Sequence, residues 1–333
     1  MQDKLPERKK LILKAVVTDY VITAEPVASK TLVGRYIWDV KSATIRNDMA
    51  ELADMGYLSQ PHTSAGRIPS DMGYRFYVDK LMDSHKIPSR QAGAAKDEMA
   101  ERSGEIDNIL DKSCGILADL ARCTAVATQP NINATGISAA NVSDVQKGKF
   151  LAVIVLDNGR VIHGFVNNRN LDARHATNFL ADAIVGKTMD EARDRAVSDE
   201  KYAPFFEDIK KILSDEIRTD VHLRGTGYIM KQPEFKDAGK LGAILRVLED
   251  KQILARLLST AFANPGVTVI IGSENTIDEM KDCSFVGKQY TIGGRPVGSI
   301  GVIGPTRMDY KKSVAAVKFM SSNLTALLEQ LGI

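Results

Sequence analysis

The chain has 333 residues, 44% of them hydrophobic and 26% charged, with 44 Lys+Arg against 42 Asp+Glu. That length suits a globular protein with two or three hydrophobic cores, and a net charge of +2 permits nucleic-acid binding without demanding it. No apolar run approaches the ~20 residues of a membrane helix, and MQDKLPERKK lacks the apolar centre of a signal peptide, so a cytoplasmic chain with no membrane partner is expected.

Pro6 suits the first turn of a helix, and Leu5, Ile12, Val16 and Tyr20, with Leu11 and Ala15 alongside, give that helix one apolar side. Pro26 opens a second, short helix, VASKTLVGRY, that ends near Gly34, and residues 36–41 form a turn. A third helix follows, with Ser42 as N-cap and Ile45, Met49 and Leu52 recurring at i, i+4 and i+7 as a buried stripe. The opposite side carries Ala43, Asn47, Ala50 and Asp54, with Thr44, Arg46 and Glu51 on its shoulders. Gly56 ends the helix as the residue that takes positive φ, Tyr57-Leu58-Ser59-Gln60 reads as a short strand, and residues 62–67 form the tip of a hairpin. Pro69-Ser70-Asp71 then starts a helix whose buried face is Tyr74, Tyr77, Val78 and Leu81.

Three helices and a hairpin in this order predict a winged helix-turn-helix. Arginine bonds guanine bidentately and asparagine bonds adenine, and the first turns of a recognition helix reach base edges, so Arg46 and Asn47 are the leading base readers. Lys41, Ser42 and Thr44 lie at the helix N-terminus, where backbone N–H groups and the helix dipole favour a phosphate. His62, Thr63, Ser64 and Arg67 are assigned to phosphate or minor-groove contacts from the wing. Residues 1–83 hold 12 Lys+Arg and 11 Asp+Glu, so any basic surface must come from placement. Asp48, Glu51 and Asp54 would repel phosphates if turned toward them, which favours entry by the N-terminal end of the helix.

Residues 84–93, SHKIPSRQAG, read as a linker, and a long helix is expected over about 94–123 with Ile106, Leu110, Leu117 and Leu120 along one side. FLAVIVLDNGRVIHGFV, within 149–166, is a hairpin with a two-residue type I′ turn at Asn158-Gly159. Helices follow around 173–185, 189–197 and 205–217. The last third reads as a helix over 240–258, the strand VTVIIG, a helix start at Thr276, the strands SFVGKQYTIGG and PVGSIGVIGP, and a closing helix from Tyr310 to Leu331.

Cys114, Cys123 and Cys283 show no CxxC spacing, and the five histidines have no metal-ligand arrangement, so neither a disulfide framework nor a metal site is expected. Gly298, Gly301 and Gly304 are spaced by three and match neither GxxxxGK[ST] nor GxGxxG, so close backbone approach in a hairpin is expected there rather than a phosphate loop. With no nucleophile and base order in view, no enzyme and no cofactor are expected.

Two stretches carry a family resemblance. Residues 42–79, SATIRNDMAELADMGYLSQPHTSAGRIPSDMGYRFYVD, resemble the N-terminal signature of the HrcA family of bacterial heat-inducible transcription repressors. Asp282-Cys283-Ser284 followed by GGRPVGSIGVIGPTRMDY, residues 293–310, resembles that family's C-terminal signature. The resemblance implies an α+β multidomain chain: a winged helix-turn-helix over 1–83, a GAF-like α/β domain over 84–143 and 223–333, and an inserted α+β dimerisation domain over 144–222. It also implies a homodimer on the CIRCE inverted repeat of chaperone operons, with activity modulated by the GroEL chaperonin and lost on heat stress. Two other classes stay open: a ligand-responsive regulator with a metabolite in the GAF-like domain, and a protein-interaction module whose winged domain meets another protein.

Overall fold

The computed structural model describes residues 5–37, 40–62, 65–100, 106–129, 135–157, 159–215 and 221–331. In chain order the first elements are α1 (Glu7–Thr23), α2 (Ser29–Arg35), α3 (Ser42–Asp54), β1 (Leu58–Ser59), β2 (Ile68–Pro69) and α4 (Asp71–Phe76). Then come α5 (Ser89–Ala100), α6 (Ile106–Ala121), β3 (Thr124–Thr128), β4 (Ile137–Gln146), β5 (Lys149–Leu156) and β6 (Val161–Asn167). The middle holds α7 (Ala173–Ile184), α8 (Met189–Asp194), α9 (Ala203–Asp215), β7 (Val221–Arg224) and α10 (Thr226–Met230). The chain continues with α11 (Ala238–Glu249), α12 (Lys251–Phe262), β8 (Thr268–Ile271), β9 (Cys283–Ile292), β10 (Arg295–Pro305) and α13 (Tyr310–Gln330). The fold is mixed α+β, and its contacts divide into two compact units.

The first unit comprises residues 1–128, 221–289 and 299–323. Its sheet runs β7-β3-β10-β9-β8, with β3 antiparallel to both β7 and β10, and β8 antiparallel to β9. Val126, Phe285 and Ile303 from the sheet meet Ile244, Val247 and Leu248 of α11 and Leu254, Leu257 and Leu258 of α12 in one buried cluster. Buried Asn275 lies where its amide nitrogen donates to Gly272 O, Met280 O and Cys283 O, pinning the loop between β8 and β9. Gly301 and Gly304 sit in β10 where an added Cβ would strike Phe285 and the Cys123 sulfur, a packing role in line with the sequence expectation.

In the same unit, α1 packs on α2 and α3, burying Ile12, Leu13, Val16 and Val17 of α1, Leu32 of α2 and Ile45, Met49 and Leu52 of α3. Leu11, expected on the apolar side of α1, is 60% exposed, because inward-facing Leu13 and Val17 rotate the buried stripe away from it. The fourth helix, α4, continues as a π-helical turn over Tyr77–Leu81. Tyr74 and Tyr77 are buried, whereas Val78 and Leu81 are half-buried.

The second unit comprises residues 129–220, 290–298 and 324–333. Its three-stranded antiparallel sheet runs β4-β5-β6. Phe150, Ala152 and Ile154 of β5 and Ile162 and Val166 of β6 face Leu180 of α7 and Phe205, Phe206 and Ile209 of α9 across a separate core. Thr177 of α7 ties helix to sheet, accepting from Val142 N at 3.1 Å and donating to Val142 O at 3.2 Å. The opposite face of the sheet leaves Val161 and Phe165 exposed.

Several sequence expectations are corrected. Ser89 opens α5, so the proposed linker is partly helical; of the helix expected over 94–123, residues 94–100 and 106–121 are helical, and residues 101–105 lie outside the described residues. The helix over 240–258 is also two: Asp250 leaves helical geometry at ψ 97° and its carboxylate accepts from Gln252 N and Ile253 N, capping α12. After Thr276 only a short 3₁₀ turn forms, Asp278–Met280. Asn158 lies outside the described residues. At the hairpin around it, Gly159 N bonds to Leu156 O and Leu156 N to Arg160 O, so the connection is one residue longer than the expected two-residue turn, with Gly159 at φ +81°.

Candidate nucleic-acid interface

The seat of α3 is set from both ends. Lys41, not Ser42, occupies the N-cap position, and no side chain caps this end. Ser42 is the first helical residue instead, and its hydroxyl lies 3.0 Å from the hydroxyl of Ser29, joining the start of α3 to the start of α2. At the other end Gly56 takes φ +84°. Gly56 N bonds to Ala53 O and Tyr57 N to Leu52 O, each at 2.9 Å, the paired pattern of a Schellman cap.

Two of the three acidic residues of α3 are paired from α1, while Asp54, in the last turn, stays exposed. Asp48 is 3% exposed, and the Arg8 guanidinium forks onto its carboxylate through Nε at 2.6 Å and Nη2 at 3.1 Å. That hydrogen bond, with the attraction of the carboxylate, raises the Arg8 pKa. One turn on, Glu51 pairs with Lys9 at 2.5 Å. With both carboxylates answered from α1, the solvent side of α3 presents exposed Ala43, Arg46 and Asn47. The Arg46 and Asn47 side chains have no hydrogen-bond or ionic partner among the described residues, which leaves a guanidinium fork and an amide in adjacent positions on an open helix face. Lys41 is exposed beside them and Thr44 is half-buried. No periodic signal marks the roles of Arg8 and Lys9; the hint is the basic run at 8–10 together with acids at 48 and 51.

The hairpin is short but braced. β1 pairs with β2 through Leu58↔Pro69 and Ser59↔Ile68, and Val27 and Arg67 exchange backbone hydrogen bonds at 2.9 Å, adding a third line of backbone. Gly66 makes that approach possible, since a Cβ there would lie 2.3 Å from Val27 O. Half-buried Arg67 donates to Gln60 Oε1, and Gln60 donates to Ala65 O at 3.1 Å, so Arg67 also braces the stem. His62 is exposed at the tip, while Thr63 and Ser64 lie outside the described residues.

The helices are tied together by Asp19 of α1, which is 4% exposed and accepts from Arg35 Nη1 at 3.0 Å and from the Tyr36 hydroxyl at 3.4 Å. Burial, reinforced by Asp19, pushes the Tyr36 phenol up. Among the described residues no group of three or more His, Cys, Asp or Glu is placed to hold a metal, and no helix is long and apolar enough to cross a membrane.

The family model described as "HrcA protein C terminal domain" matches residues 107–314. The chain is 35% identical to a protein of Pelotomaculum thermopropionicum and 37% identical to one of Thermoanaerobacter pseudethanolicus, covering 98% of this chain and 98% of each relative. A relative in a further Thermoanaerobacter species is 38% identical at the same coverage. All three relatives are named "Heat-inducible transcription repressor HrcA", which places the likeness among transcription repressors. The chain belongs to the HrcA family. A crystal structure described as that of a hypothetical protein superposes with a TM-score of 0.67 at 22% identity, covering 98% of this chain and all of that one, and supports the α+β fold.

Proposed function

We propose that the chain is a sequence-specific DNA-binding repressor of heat-shock operons, in which α2, α3 and the β1–β2 hairpin act as a winged helix-turn-helix. The observation that carries this reading is the outer face of the first turns of α3: Arg46 and Asn47 stand exposed, while Asp48 is buried against Arg8 and Glu51 is paired with Lys9 of α1. A neighbouring guanidinium and amide can read guanine and adenine edges in a major groove. Lys41, Ser42 and Thr44 approach phosphate at the helix start, and His62, Thr63, Ser64 and Arg67 do so from the wing. Family membership and the names of the relatives support a repressor released by heat.

In this reading residues 1–83 are the DNA reader, 84–143 and 223–333 a GAF-like domain and 144–222 an inserted dimerisation domain. The separate core of the second unit supports the insert, although its sheet begins at Ile137, ahead of 144. The exposed Val161 and Phe165 on that sheet favour a homodimer. A two-fold dimer matches an inverted repeat, and CIRCE is the proposed operator. The GroEL chaperonin, supporting the folded repressor in the cytoplasm, is the proposed modulator. Footprinting on a CIRCE duplex tests this: two protected patches on one face, a whole number of ~10 bp turns apart, are expected, and uniform or absent protection contradicts it.

A second reading is a ligand-responsive regulator; one feature favours ligand binding, though it lies mostly in residues 1–83 and not in the GAF-like domain first expected to hold a metabolite. A cavity of about 460 Å³ opens between α1 and the start of α13, lined by Leu11, Lys14, Ile22, Tyr36, Tyr77 and Lys311 among others, a size suited to a small molecule. A metabolite that raises the melting temperature and shifts operator affinity would select this reading over the first.

A further inference from the structure

Within the first unit, the segment proposed as DNA reader meets the sheet through two arginine forks. Arg307, on the turn between β10 and α13, has only 11% of its side chain exposed and donates through Nε to Glu234 Oε1 at 2.6 Å. Its Nη2 donates to Gln232 Oε1 at 2.9 Å, and its Nη1 reaches back to Val21 O at 2.7 Å. Val21 lies in the last turn of α1, where carbonyls lack helical partners and the helix dipole is negative, so a guanidinium is well placed there. Glu234 and Gln232 hold the guanidinium from behind, leaving one edge of the fork for α1.

The second fork comes from the opposite direction. Arg75 of α4 donates through Nε to Glu274 Oε1 at 2.8 Å and through Nη2 to Val269 O at 2.6 Å. Val269 is in β8, the edge strand of the five-stranded sheet, so the side chain takes up an edge carbonyl that no strand pairs. Burial pushes the Glu274 carboxyl up, but the Arg75 guanidinium and Ile271 N–H outweigh it and the carboxyl ends below its usual range. At the start of the same helix, Asp71 Oδ2 accepts from Ser273 N at 2.8 Å. Between the forks Tyr74 packs on Tyr310 with ring centroids 5.5 Å apart.

We propose that Arg307 and Arg75 are positioning residues for DNA recognition: acting through α1 and α4, they fix the orientation of α3 on the sheet. Neither lies on the α3 face assigned to base contacts. In a dimer on an inverted repeat, both recognition helices must present at one spacing, so a freed reader loses the second half-site as an intramolecular partner. Contact with random DNA needs no such spacing. The inference rests on the DNA-reading proposal above.

The test uses the full chain and three variants, Arg307→Ala, Arg307→Lys and Arg75→Ala, titrated on a CIRCE duplex and a scrambled duplex. Time-resolved anisotropy of Trp38, the only tryptophan of the sequence, reports segmental motion of residues 1–83. The expected result is an operator affinity at least ~10-fold weaker for each alanine variant, intermediate for Arg307→Lys, with scrambled-duplex binding unchanged and a faster Trp38 component. Arg75→Ala, on the more exposed fork, keeps the test alive if Arg307→Ala fails to fold. Operator affinity within about twofold of wild type, parallel loss on both duplexes, or loss with unchanged Trp38 anisotropy would each overturn the proposal. If wild type shows no operator preference, the DNA reading fails, and Trp38 anisotropy alone then decides whether the forks hold the segment.

Discussion

Truncating the two partners of the Arg8–Asp48 pair should have unequal effects. The Asp48 side chain is 4% exposed while that of Arg8 is 54% exposed. Arg8→Ala leaves a carboxylate buried against α1 without its two donors. Removing one partner of a fully buried pair costs about 3–5 kcal/mol, and access of water from the Arg8 side should reduce this to about 2–3 kcal/mol. Asp48→Ala leaves an arginine that returns to water, a loss of about 1 kcal/mol or less for a half-exposed pair, partly offset by the ~0.5 kcal/mol helix preference of alanine. Urea unfolding followed by Trp38 fluorescence watches this segment, which matters because a chain with two units need not unfold in one step. The expected order is wild type, then Asp48→Ala close behind, then Arg8→Ala well below. Equal losses, or a larger loss for Asp48→Ala, would show that the carboxylate is better solvated than its burial implies and refute the reasoning.

Other substitutions separate reading from support. Arg46→Ala and Asn47→Ala should each cost about 1–3 kcal/mol on operator DNA and relax specificity. Arg67→Ala should weaken binding evenly across sequences, and titrations on operator and random duplexes distinguish the two patterns. Gly66→Ala places a Cβ 2.3 Å from Val27 O; the shift should destabilise by about 1–3 kcal/mol and lower operator affinity, read from a thermal melt and the same titration. Burial pushes the Cys123 and Cys283 thiols up to about 12 from 9.0, and the Tyr77 phenol up to about 12 from 10.0. Because these groups stay protonated longer in the folded chain than in the unfolded one, their contribution is fully present below pH 9 and falls as pH rises toward 12. Urea midpoints at neutral pH and above pH 9 check this, and a midpoint that rises with alkaline pH would contradict it.

Local chemistry made much of the proposed reader's fold legible. Gly56 closes α3 as the sequence suggests and the helix starts one residue from the expected cap, because an apolar i, i+4, i+7 stripe and a glycine stop are short-range signals. The role of Ser42 was not legible: its partner is Ser29, thirteen positions away, and only tertiary packing brings the two hydroxyls together. β3 went unread for a related reason. TAVAT is a fully buried run with no alternation, so it carries no period that marks it as a strand. The break at Asp250 depends on a cap that competes with a continuous apolar periodicity, and periodicity hides it. Arg307 and Arg75 are invisible as forks, since their partners lie 73 and 199 residues away.

The central claim is that this chain reads an inverted repeat through α3. It is tested most directly by titrating purified protein onto a CIRCE duplex and a scrambled duplex of equal composition, at fixed physiological salt, with and without chaperonin. The account predicts a specificity ratio of ~10³ or more that falls with Arg46→Ala or Asn47→Ala. Equal, salt-sensitive binding to both duplexes, with chaperonin present, would contradict it.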